Sequence, residues 1–127
     1  MKVVRAELKD IFSPDVRDLK NPGLPEGSAF CVALQVDFGA KGEEGQDQFD
    51  MLVCNPHWIA QQTKEGVFSG LHYLIVPEFD IDQIRSFLRE LAEQSIGVDW
   101  VDVARKLGKF GRWEFEDLDS GSSGDTA

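Results

Sequence analysis

Two stretches of strict alternation, joined by a glycine-rich octapeptide, constrain this chain more than any other feature. In residues 28–38, Phe30, Val32, Leu34, Val36 and Phe38 share one parity, and Cys31, Ala33, Gln35 and Asp37 share the other. Residues 47–54 repeat the pattern, with Phe49, Met51 and Val53 against Gln48, Asp50 and Leu52. A period of two places each set on its own face of a pleated strand. The link Gly39-Ala40-Lys41-Gly42-Glu43-Glu44-Gly45-Gln46 carries three glycines, so the two runs read as an antiparallel hairpin. Parity also limits the register. Core residues are even-numbered on one strand and odd-numbered on the other, so opposed residues must sum to an odd number, and 85 or 87 suits the loop. At 85, Val32 faces Val53, Leu34 faces Met51, Val36 faces Phe49, and Cys31 faces Cys54.

The rest of the chain supplies partners for that hairpin. Residues 2–12 alternate, with Val4, Ala6, Leu8 and Phe12 on one face and Arg5, Glu7 and Lys9 on the other. Ser13 to Gly27 holds three of the five prolines and reads as a loop. Asn55-Pro56 opens a helix that runs to about Glu65 and stops at Gly66. Leu71 to Val76 is a short apolar run, read as a central strand buried on both faces. Asp80 to Ser95 is a helix with a capping-box spacing at Asp80 and Gln83. Its buried stripe is Ile81, Ile84, Leu88 and Leu91, with Phe87 beside it. Asp99 caps a shorter helix that buries Trp100, Val103, Ala104 and Leu107. Arg112 to Leu118 reads as a last strand, with Trp113 and Phe115 inward and Glu114 and Glu116 outward. Residues 119–127 have no large apolar side chain and read as a disordered tail. This order predicts a single α+β domain over residues 1–118, a largely antiparallel sheet of about five strands with three helices packed on one face. The other face would carry Glu7, Lys9, Gln35, Asp37, Gln48, Asp50, Glu114 and Glu116.

Composition excludes several functions. The 127 residues are 42% hydrophobic, enough for a core, and no apolar run approaches the roughly 18 residues of a membrane span. Thirteen Lys and Arg against 23 Asp and Glu give a net charge of −10. That field repels phosphate, so nucleic acid and anionic membrane are poor partners, and a basic protein is a good one. The amino terminus has no apolar signal core, and the two cysteines do not make a disulfide scaffold, which suits a reducing cytoplasm. Cys54 and His57 have a metal-like spacing and Cys31 could add a third donor, but no fourth Cys or His completes a zinc site. No metal and no cofactor is therefore expected, and His72 reads as a hydrogen-bonded core residue. Gly39-x-x-Gly42-x-x-Gly45 lacks the Gly-Lys-Ser/Thr ending of a phosphate loop and carries Glu43 and Glu44, which would repel the phosphate. Glu114, Glu116 and Asp117 could form a carboxylate pair, but alternation turns the glutamates away from Trp113 and Phe115, toward solvent or a partner. What remains is acidic density, at Glu43, Glu44, Asp47 and Asp50 on the hairpin and at Glu114, Glu116, Asp117 and Asp119 near the end. It serves solubility, or it steers a cationic partner; a nuclease, with its basic substrate groove, is such a partner.

Four blocks carry a family resemblance. They are Phe12-Ser13-Pro14-Asp15; Gly42-Glu43-Glu44-Gly45 through Phe49-Asp50 to Val53-Cys54-Asn55-Pro56-His57-Trp58; Leu74-Ile75-Val76 with Glu78-Phe79-Asp80; and Gly111-Arg112-Trp113-Glu114-Phe115-Glu116-Asp117. Across roughly residues 6–118 the chain resembles the immunity proteins of bacterial polymorphic toxin and contact-dependent growth inhibition systems, in the family numbered eight. The resemblance implies an α+β fold, cytoplasmic residence, no enzymatic activity, and neutralisation of a cognate toxin domain encoded beside it. It brings no set of contact residues. The acidic residues Glu43, Glu44, Asp47, Asp50, Glu114 and Glu116 are the expected partner-binding set, on a monomer or weak dimer. Two readings from other classes stand beside it. One is a small carboxylate-based hydrolase, which needs Glu114 or Asp117 desolvated in a pocket. The other is a peptide-binding adaptor that adds a strand to a sheet edge.

Overall fold

The computed structural model describes residues 2–118, and the expected tail at 119–127 lies outside the described residues. The elements are β1 (Val4–Phe12), β2 (Cys31–Ala40), β3 (Asp47–Cys54), α1 (Pro56–Gln62), β4 (Tyr73–Ile75), α2 (Ile81–Gln94), β5 (Ile96–Gly97), α3 (Trp100–Leu107) and β6 (Arg112–Trp113). They build a mostly antiparallel α+β fold with strand order β4-β3-β2-β1-β5, and β6 adds to β3. Among the described residues only the β3–β4 pairing is parallel.

The hairpin forms in the register of 85, with Val32 opposite Val53, Leu34 opposite Met51, Val36 opposite Phe49 and Cys31 opposite Cys54. Leu34, Val36, Phe49 and Val53 are completely buried. Ile81, Ile84 and Leu88 of α2 and Val103, Ala104 and Leu107 of α3 close over them. Full burial of each such large side chain contributes roughly 1.5–3 kcal/mol. α2 starts where its cap predicts, since the Asp80 carboxylate accepts from the Asp82 and Gln83 amides at 3.0 and 3.3 Å. Leu91 is only partly buried, and Ala92 takes its place in the core.

Five expectations need correction. In β1 the register slips between Leu8 and Asp10, so Lys9 is an extra residue in the strand. A bulge reverses the parity beyond it. Ile11 therefore turns into the core, and Phe12 turns outward with 42% of its surface exposed. β4 is an edge strand and not a central one. Leu71 and Ile75 are 68% and 56% exposed, because the chain returns from α1 along the free edge of β3 and no described strand pairs beyond it. The last strand ends at Trp113; a turn and a short helical stretch over 116–118 follow, and Phe115 is exposed. Trp113 alone is buried, stacked on Phe49 at 6.5 Å. α1 ends at Gln62, short of Glu65, with Thr63 as its C-cap. Finally, only α2 and α3 supply the core face. α1 has no buried residue, and its Trp58 stacks on Tyr73, which shares the opposite face with Leu52.

Candidate partner-binding surface

The face of the sheet turned away from α2 and α3 is a grid that the registers define. One row runs Cys31, Cys54, Ile75; the next runs Ala33, Leu52, Tyr73. Then come Phe12, Gln35, Asp50, Arg112, and after them Asp10, Asp37, Gln48. Glu114 joins that last row. Its backbone N–H donates to the Gln48 carbonyl at 2.9 Å, and its carboxylate accepts the Gln48 N–H at 2.6 Å. The face thus grades from apolar and thiol groups at one end to carboxylates at the other.

The apolar end is partly covered by an aromatic cluster. Trp58, Phe68 and Tyr73 meet pairwise at 5.1–5.8 Å between ring centres. Asn55 holds this corner to the strands. Its side-chain oxygen accepts the Trp58 and Phe30 N–H groups at 3.0 and 3.2 Å, and its amide donates to the Ser28 carbonyl at 2.9 Å. Beneath the cluster both cysteines are free thiols. Burial first, then Cys54 and Asp15, push the Cys31 thiol up to about 11, and burial raises that of Cys54.

At the acidic end Asp37 is 8% exposed. Its carboxylate accepts from the Gln46 amide at 2.7 Å, and among the described residues no cation pairs with it. Burial, followed by the negative charges of Asp10 and Glu114, holds its pKa above the ordinary carboxylate value. Nearby cations are engaged elsewhere: Lys9 bonds Glu7 at 3.1 Å and the Glu43 carbonyl at 2.7 Å, and Arg112 pairs with Asp117 at 3.0 Å.

The six acidic residues singled out by sequence do not form one cluster. Glu43 and Glu44 are exposed at the hairpin tip. Asp50 and Glu114 lie on the grid, and Glu116 is half-buried in the terminal helical stretch. Asp47 has a structural engagement: its Oδ2 accepts both the Trp100 indole N–H at 2.7 Å and the Trp113 indole N–H at 3.0 Å. It thereby ties α3 and β6 to the start of β3. Three residues of this face, Ala33, Leu52 and Tyr73, were not singled out. Parity alone set Ala33 opposite Leu52, but Tyr73 joined them only through the parallel pairing. His72 is hydrogen-bonded as expected, with Nε2 2.8 Å from the Gly108 carbonyl, but it is not a core residue: it is half-buried in the turn before β4, at a positive φ of 64°. Neither Glu114 nor Asp117 has the enclosed setting a hydrolase needs, for both are exposed. No cluster of three or more metal-ligating side chains occurs among the described residues, and no helix there is long and apolar enough to cross a membrane.

The family model described as Immunity protein 8 matches residues 6–118, which takes in the whole grid. The chain belongs to the Immunity protein 8 family. No curated protein and no solved structure matches it significantly. As an immunity protein it acts against a toxin, and its partner is a toxin protein.

Proposed function

We propose that this immunity protein neutralises a basic, nuclease-type toxin domain in the cytoplasm, one-to-one and without catalysis of its own. Its acidic surface occupies the groove that the toxin would otherwise offer to nucleic acid. Glu43 and Glu44 at the hairpin tip, with Asp50, Glu114 and Glu116, provide steering and ion pairs, and Asp47 holds the start of β3 in position for them. The observation that carries this reading is the acidic end of the sheet face, where Asp10, Asp37 and Glu114 converge with no cation of the described chain to neutralise them. Such an imbalance leaves a field that a basic protein can satisfy. The protein itself is expected to be a monomer or weak dimer and to bind neither nucleic acid nor membrane.

The test is co-expression with the toxin domain encoded beside the gene, scored by survival and by cleavage of RNA and DNA in vitro. Rescue together with blocked nuclease activity is the expected result. A toxin that cleaves no nucleic acid would remove the nuclease class, and a purified immunity protein that turns over substrate unaided would overturn the inhibitor reading.

A further inference from the structure

A groove of about 430 Å³ opens on the same sheet face, between the apolar and acidic rows. Its floor is Ala33 and Leu52, its walls include Pro14, Leu71 and Tyr73, and Asp50 stands at its polar end. Arg112 also borders it, with its guanidinium held by Asp117. Asp50 uses one carboxylate oxygen to accept from the Gln48 amide at 3.0 Å, and the other has no partner among the described residues. Next along the face lie Asp37, Asp10 and Glu114.

We infer that this groove is the anchor pocket for the toxin, and that its occupant is an arginine side chain of the toxin domain. The inference rests on the proposed reading of a basic toxin partner and names where and how that partner is gripped. Charge complementarity selects the occupant. A methylene stem can lie along Ala33 and Leu52 while the planar guanidinium reaches the free oxygen of Asp50. A purely aliphatic anchor would leave Asp50 without a partner in a desolvated interface, and an acidic one would meet the carboxylates of the next row. Interfaces concentrate their affinity in a few anchor residues seated in pockets, and arginine is among the residues that most often serve.

Binding of the purified toxin domain from the neighbouring gene, measured by calorimetry, tests this. Asp50→Lys reverses the charge at the end of the groove, and Ala33→Arg fills the floor with a cation of the protein's own. Each should weaken binding by about 100-fold while thermal melts show an intact fold. Glu90→Lys makes the same charge change on the exposed side of α2, on the other face of the sheet, and should stay within about threefold, as for an exposed surface charge. The toxin's surface arginines are then replaced one at a time by alanine. One of them should give a loss that is not additive with Asp50→Ala. If the wild-type protein does not bind the toxin, the proposed function fails. If it binds and the groove variants bind as tightly as Glu90→Lys, or no toxin arginine couples to Asp50, the anchor pocket is wrong and the toxin-binding reading stands.

Discussion

Asp37 is a buried carboxylate with which no cation pairs among the described residues. Its folded pKa lies above the ordinary 3.8, chiefly through burial and then through Asp10 and Glu114. The native state therefore holds the proton to higher pH than the unfolded chain does. Stability is lost as pH rises from 3.8 through the folded value, and the cost persists at neutral pH. Asp37→Asn keeps an acceptor for the Gln46 amide and removes the charge. It should raise the melting temperature at pH 7, with the gain disappearing below pH 3.8; melts at pH 7 and pH 3 check this. Cys31 makes a second prediction. With its pKa raised from 9.0 to about 11, its thiolate fraction near pH 8 falls by about 100-fold, so iodoacetamide should label the native protein about that much more slowly than the unfolded chain. Asp47 shows where residue-level reading of a sequence ends. It resembles any surface acid, because the two indoles that claim it lie 53 and 66 residues further along the chain.

Among the elements, those with strong local signals formed as expected. The hairpin register followed from parity, and α2 and α3 began at their aspartate caps. The bulge in β1 had no such signal, since Leu8, Lys9 and Asp10 show no glycine or proline to mark it. What creates it is pairing: Leu8 must meet Phe38 and Ile11 must meet Val36, which leaves one residue too many. Gly39 permits a closure of the hairpin that no side chain could share. A Cβ there would press on the Gly45 carbonyl oxygen and on the Lys9 side chain. Gly39→Ala should destabilise the protein by about 1–3 kcal/mol, measurable by urea unfolding. Asn55 is buried and uses its amide group for three bonds across two segments and a helix start. Asn55→Ala should cost about 2–4 kcal/mol, because it removes a cap and strands the buried N–H of Phe30 and the part-buried carbonyl of Ser28. Equal midpoints for variant and wild type would refute either statement.

For the whole molecule, we propose that the net charge of −10 sets how the toxin arrives and that the sheet face sets where it stays. Reversing Glu43 and Glu44 to Lys leaves the fold alone, since both side chains are exposed at the hairpin tip. Stopped-flow association with the toxin domain should slow by on the order of tenfold at low ionic strength and depend less on salt. Unchanged association rates at low salt would sink the steering role. The α+β class, the hairpin register and the helix starts were legible in the chain itself, because each depends on alternation, periodicity or a cap within a few residues. Tertiary structure alone decided that β4 lies at the edge, that β6 stops after two residues, and that Ala33, Leu52, Tyr73 and Asp50 border one groove. Those outcomes depend on which distant strands find room beside β3, and neither hydrophobicity nor spacing along the chain records the free energy of that choice.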